Sequence, residues 1–214
     1  MKSTPTRGVK QYLKPNAYNQ SELDWTLMTI PQVWVTESES LRSTDMDGTL
    51  AVLFLVASLT DMGINHCSTG CLATGETPQR LALSYGDVQF QEKSVDKELY
   101  LRYDFGRTYG PFQPAIGASV TGRGDAWIGI GATWTAQLAD TGIYGQLHLM
   151  PGVYARGSGP NLGHTIEFRS GAEIGYQARN GVRFGISYDH RSNAELSSVN
   201  PGLETLQFRV SIPF

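Results

Sequence analysis

The sequence is short of charge. Its 214 residues include 17 basic and 20 acidic side chains, 17% in all, where a soluble globular chain carries about 25%. The net charge of −3 supplies no basic footprint for nucleic acid, so no nucleic-acid partner is expected. Long apolar runs are missing as well. No stretch of about 18 consecutive apolar residues occurs, which argues against a spanning helix. Cysteine is nearly absent, at two residues, and His66 beside Cys67 and Cys71 makes too small a ligand set for a metal at this spacing. Glycine, by contrast, is in surplus, at 24 residues, and so is tyrosine, at ten. Little charge with much glycine and tyrosine argues against a helical bundle and for a sheet protein of one medium domain with a short appendage. A membrane barrel stays open, because alternating strands hide their hydrophobicity from the mean hydropathy of −0.24.

Two regions differ in pattern. Residues 1–75 read as an N-terminal segment with little regular structure; 1–45 are polar and Ser/Thr-rich with no sustained period. Leu50 to Ala57, inside a run at 49–59, has the length of a signal-peptide core. No positive charge precedes the run when it is counted from Met46, and counted from Met1 it lies deep in the chain. A buried strand or short helix is the alternative. Ser68-Thr69-Gly70-Cys71 resembles a lipoprotein cleavage box that lacks its leucine.

Residues 76–214 alternate with a period of two. At the C-terminus Leu206, Phe208, Val210, Ile212 and Phe214 interleave with Thr, Gln, Arg, Ser and Pro, a strand of the length a tilted membrane crossing needs. The same alternation marks 81–88, 97–105, 112–121, 126–137, 142–153, 166–176 and 182–188, giving eight strands. Asn180-Gly181 reads as a two-residue hairpin. Asp140-Thr141-Gly142 and 106–110 are the other short links, while 89–96, 121–125, 154–164 and 192–204 read as mostly longer loops at the opposite end. Glu98, Arg102, Asp104, Glu167, Arg169, Glu173, Arg183 and Arg209 all share one face, and the other face is apolar and aromatic. Charges of both signs suit the narrow polar interior of an eight-stranded barrel, whereas a soluble sandwich would expose them to water. The terminal phenylalanine resembles the signal by which bacterial outer-membrane proteins are recognised for insertion. The fold class expected is all-β, an eight-stranded antiparallel transmembrane (outer-membrane) β-barrel.

The alternation also flags polar residues where lipid should be. Past Tyr188 the outward positions are His190 and Ser192, and before Leu206 the next is Glu204. A hairpin symmetric about 197–198 sets Ser192 across from or diagonal to Glu204, with His190 one step along. A serine nucleophile, a histidine base and an orienting carboxylate are the set that ester hydrolysis needs. Polar residues at strand ends are also ordinarily just hydrated, so spacing alone leaves both readings standing.

His190-Arg191-Ser192-Asn193-Ala194, then Asn200-Pro201-Gly202-Leu203-Glu204 and a strand ending Pro-Phe, resemble the outer-membrane lipid A 3-O-deacylases of the PagL type. The resemblance is specific over 182–214, general over the first six strands and absent from 1–75. It implies hydrolysis of the 3-O-linked acyl chain of lipid A (lipopolysaccharide) in the outer membrane without cofactor or metal. Site by site it implies His190 as base, Ser192 as nucleophile, Glu204 as orienting acid and Asn193 as a donor to the oxyanion. Asn200 and Gly202 are expected to shape the loop, His148 to be an interior polar residue and His164 a loop residue. A non-catalytic adhesion or structural barrel and a lipid A acyltransferase are the rival readings, and a homodimer is compatible with all of them.

Overall fold

The computed structural model describes residues 48–214. The polar segment 1–45, expected to hold little structure, lies outside the described residues. Eight antiparallel strands close into a barrel: β2 (Arg80–Phe90), β3 (Lys93–Asp104), β5 (Gln113–Thr121), β6 (Ala126–Gln137), β7 (Ile143–Ala155), β8 (Ile166–Gln177), β9 (Arg183–Ser192) and β10 (Leu203–Pro213). Each strand pairs with its sequence neighbour and β10 closes on β2, with Leu206 opposite Asp87. Two short strands, β1 (Thr74–Glu76) and β4 (Arg107–Tyr109), form a separate ribbon at the short-turn end, an element the alternation did not announce.

The two faces sort as the alternation requires. Leu206, Phe208 and Ile212 are exposed, while Arg209 between them is 1% exposed. An apolar outer wall around buried ion pairs is the reverse of a soluble sandwich. Inside, opposite charges meet: Arg169 Nη2 lies 2.7 Å from Glu98 Oε1, and Arg169 Nε lies 2.7 Å from Asp189 Oδ2. Arg191 also bonds Glu98, and Arg209 bonds Glu173. Buried ions need such partners, because an unpaired charge away from water is costly. His148 is fully buried among them, as an interior residue should be. Near the long-loop end an apolar cluster of Val88, Tyr100, Trp127, Met150, Leu162 and Leu203 packs among the charges, with the Arg169 guanidinium 3.9 Å over the Tyr100 ring.

Large interior side chains fit because glycines stand opposite them. A Cβ on Gly117 would lie 2.4 Å from the Tyr100 hydroxyl, and one on Gly171 would lie 2.3 Å from His148 Cε1. These positions have no room for a methyl group.

Two local expectations about turns are corrected. The link at 89–96 is a two-residue turn, because Gln91 and Glu92 both take positive φ (51° and 63°), the backbone of a type I′ hairpin. Its strands run on past the apolar belt, held by Lys97 Nζ and Ser94 Oγ donating to Asp87 Oδ1, each at 2.6 Å. Asn180-Gly181 closes a three-residue loop instead: the Gly181 N–H donates to Ala178 O at 2.9 Å, and Gly181 has φ 83°. A turn over 178–181 followed by left-handed glycine also fits the strand twist.

Within 1–75, Thr49–Asp61 forms a helix, α1, followed by a π-helical turn, Met62–His66. Together these 18 residues are apolar enough to cross a membrane by length and composition, although no unbroken apolar run announced them. Interspersed Ser58, Thr60, Asp61 and Asn65 broke the run without breaking the helix. Leu50, Phe54 and Ser58 are its buried residues, four apart and so on one side. Phe54 meets Phe112 with ring centroids 6.0 Å apart, and Trp134 Nε1 donates to Asp61 Oδ2 at 2.9 Å, so α1 lies against the outside of the barrel. Cys67 and Cys71, weighed above as metal ligands and, for Cys71, as the end of a lipoprotein cleavage box, are joined in a disulfide.

Candidate active site

The site is built on the last hairpin, where side chains alternate across the wall. His190 and Ser192 in β9 and Glu204 in β10 share parity with the outward Phe184, Ile186, Leu206 and Phe208. In the ladder His190, expected one step along, stands directly across from Glu204, and Ser192 lies on the diagonal, because the hairpin is centred on 197. The ladder ends at Leu203 and Arg191, so Ser192 extends one step beyond. On the other flank of β9, Ser170 of β8 faces His190 and Phe168 faces Ser192. Glu204, His190 and Ser170 therefore form one row across three strands on the outer face.

The row differs from the wall around it. Ile174 and Ile186 are 67% and 58% exposed on the same face, but Ser170, His190 and Ser192 are 3%, 3% and 6% exposed. His190 Nδ1 lies 3.3 Å from Glu204 Oε1, and the Glu204 side chain keeps 24% exposure. That contact orders the imidazole with Nδ1 towards the carboxylate. The Gly202 backbone covers the ring: a Cβ there would come within 2.9 Å of His190 Cε1, and the residue has φ 70°. Gly202 is thus needed both for its left-handed backbone and for lack of a side chain. This bears on the loop-shaping role expected for it.

Asn193 does something other than expected. Its side chain is fully buried, and Nδ2 donates to Leu162 O and Val199 O, both at 2.8 Å. Its backbone N–H donates to Asn200 Oδ1 at 2.9 Å. The donors that an oxyanion would require are already engaged, and the remaining Oδ1 can only accept. Asn193 instead latches loop 193–202 to loop 156–165. The same contact explains Gly163, where a Cβ would lie 1.8 Å from Val199 O. Asn200 shapes the loop by accepting from Asn193. His164 lies in loop 156–165, where its Nδ1 accepts the Ile166 N–H at 2.9 Å.

Ser170 is the one member of the row that the sequence reading passed over. The signal was present: Ile166, Phe168, Ala172 and Ile174 are its outward companions, and it is the polar exception among them.

Residues 84–213 match the family described as Lipid A 3-O-deacylase (PagL). The chain belongs to this family. PagL deacylases are ester hydrolases, and the chain is an enzyme of that class. Among solved structures, one described as the outer membrane enzyme PagL is 21% identical, with a TM-score of 0.51, over 63% of this chain and 99% of that one. A de novo designed transmembrane β-barrel is 8% identical, with a TM-score of 0.48, over 65% of this chain and all of the design. The Yersinia pestis outer membrane protein Ail is 14% identical, with a TM-score of 0.37, over 64% of this chain and all of Ail. No curated protein sequence matches the chain.

Proposed function

We propose that this PagL-family barrel cleaves the 3-O-linked acyl ester of lipid A with Ser192 as nucleophile, His190 as general base and Glu204 as the group that holds the imidazole. The observation that carries this reading is the His190–Glu204 contact of 3.3 Å on the outward face, with Ser192 two residues along the same strand. A serine hydroxyl is a weak nucleophile until a base takes its proton. With Nδ1 turned to Glu204, Nε2 is the ring nitrogen that takes that proton. The carboxylate then stabilises the imidazolium formed as Ser192 Oγ attacks the ester carbonyl. Collapse of the tetrahedral adduct expels the sugar hydroxyl, which takes the proton back from His190. Water, activated by the same imidazole, then releases the fatty acid from Ser192. No step calls for a metal or cofactor.

The placement supports the substrate. An ester at the boundary between headgroup and acyl chains is reached from the outer wall and not from the barrel lumen, and the row opens on the outer wall at the long-loop end. Outer-membrane barrels put their longer loops outside the cell and short turns in the periplasm. In that orientation the row faces the leaflet that holds lipopolysaccharide.

Mass spectrometry of lipid A from cells expressing the wild type and Ser192→Ala is the direct test. Loss of one acyl chain at position 3, with release of free fatty acid, is expected for the wild type only. Transfer of that chain to another lipid would mark an acyltransferase. Unmodified lipid A in both strains would mark a non-catalytic barrel. Ser170→Ala belongs in the same experiment: retained activity there, with none in Ser192→Ala, identifies the nucleophile.

A further inference from the structure

The short-turn end of the barrel holds a feature that deacylation does not use. Four interior arginines, Arg102, Arg169, Arg191 and Arg209, each have a carboxylate partner. Arg80 and Arg183 do not. Among the described residues, neither takes part in an ion pair, although Arg80 is 4% exposed and Arg183 is half-buried. They share one neutral acceptor: Gln177 Oε1 receives Arg183 Nε at 2.7 Å and Arg80 Nη2 at 3.2 Å. Arg80 Nη2 also donates to Gly181 O at 2.9 Å, and Arg183 stacks on the Tyr144 ring at 4.8 Å. Arg80 Nη1 is buried with no partner.

Both arginines line a cavity of about 350 Å³ at the barrel mouth, beside Gln113, Thr133, Thr135 and Gln177. No acidic side chain lines it. The nearest interior carboxylate, Asp104, is bound to Arg102, with Nε 2.8 Å from Oδ1. Glu76, on the ribbon beneath, is exposed and pairs in register with Arg107. Arginine cannot shed its proton to escape burial, and the one carboxylate opposite Arg80 in the ladder, Asp104, is already contacted by Arg102, so two cations around a hydroxyl- and amide-lined void have no carboxylate to themselves. A tetrahedral oxyanion would supply it and would accept from the free Nη1, for which guanidinium geometry is suited.

We propose that this mouth is a binding site for a small oxyanion of the phosphate class, held between Arg80 and Arg183. The site lies inside the barrel at the end away from the His190 row, so it stands whether or not the catalytic assignment does. Phosphate free in solution and the phosphate of a lipid headgroup share this chemistry.

The test uses the refolded full chain in detergent, titrated with inorganic phosphate and with chloride at matched ionic strength, followed by thermal unfolding and phosphorus NMR. Phosphate should raise the unfolding temperature saturably and chloride should not. Arg80→Gln and Arg183→Gln should each weaken phosphate binding about tenfold or more, as loss of a charge-assisted contact does. In phosphate-free buffer both variants should unfold no earlier than the wild type, because each removes a cation that no carboxylate contacts. Equal responses to phosphate and chloride would overturn the proposal. So would unchanged binding in the variants, or variants that are less stable or fail to refold without phosphate, which would mark the arginines as structural. Displacement of phosphate by glycerol phosphate but not by phosphatidylglycerol vesicles would place the natural ligand in solution; the reverse would place it in the membrane.

Discussion

The barrel carries ionisable groups on both faces of one wall, and the two faces treat them differently. Inside, Glu98 takes two arginines, and Asp189 accepts from Arg169, Ser187 and Gln207. Such carboxylates have little accepting capacity left, and their geometry is fixed from several strands at once. On the outer face Glu204 lies beside His190 with no arginine near enough to pair among the described residues, and the histidine is flanked by serines. A charge that holds a structure together is best fully satisfied. In the proposed mechanism Glu204 answers a proton arriving on His190, and a carboxylate in that role has to keep room to do so. Adjacent residues of β9 illustrate both cases: Asp189 points inward into the ion network, and His190 points outward.

Substitutions on the two faces should therefore fail in different ways. The largest effect expected is on the outer face: Ser192→Ala or His190→Ala should lower ester hydrolysis by roughly 10⁴-fold or more, while the barrel still forms and migrates as a heat-resistant species on gels. Glu204→Ala should cost less, about 10³-fold, since the base survives but loses its orientation; turnover of a soluble ester measures it. Inside, the order reverses. Glu98→Ala strands Arg191 and leaves Arg169 with Asp189 alone, and should destabilise the barrel by about 3–5 kcal/mol, read as a lowered denaturant midpoint in micelles. Phe208→Arg, on the lipid face away from the row, should cost about 2–4 kcal/mol without altering the turnover of folded protein. Gly202→Ala should have the smallest effect on folding, about 1 kcal/mol. It should nevertheless reduce turnover, because its methyl group displaces the His190 ring. If Glu98→Ala abolished hydrolysis in a fully stable barrel, the division between the faces would fail.

Much of this was legible in the sequence because a barrel wall has a strict period. Strand β6 was read at its observed limits, and β5 and β8 within one residue, from alternation alone. His190, Ser192 and Glu204 stood out because they violate that period. The engagement of Asn193 with Leu162 and Val199 was not legible, because its amide looks the same in the sequence whether it faces a substrate or two carbonyls. The Gln91–Glu92 turn carries none of the Asn or Gly that signals a type I′ hairpin, so a long loop was expected. The α1 helix was visible only as a short apolar run, because the contacts that bury Leu50 and Phe54 come from strands far along the chain. The anion-shaped mouth was invisible for the same reason: Arg80 and Arg183 are a hundred residues apart, and nothing in either strand reports that Gln177 is all they share.

The surplus of glycine has a consequence for how this chain can change. Gly117 and Tyr100, or Gly171 with His148 and Asp189, fill a single volume between them, so each group behaves as one unit of inheritance. A lineage replacing Gly117 with alanine must first shrink Tyr100, whose ring and hydroxyl fill the space a Cβ would take, and one replacing Gly171 must accommodate both His148 and Asp189. The reverse order at Gly117, with the ring reduced first, leaves only a void. Substitutions in the interior should therefore be directional and paired, whereas the lipid-facing wall, with no such partners, is free to drift one residue at a time.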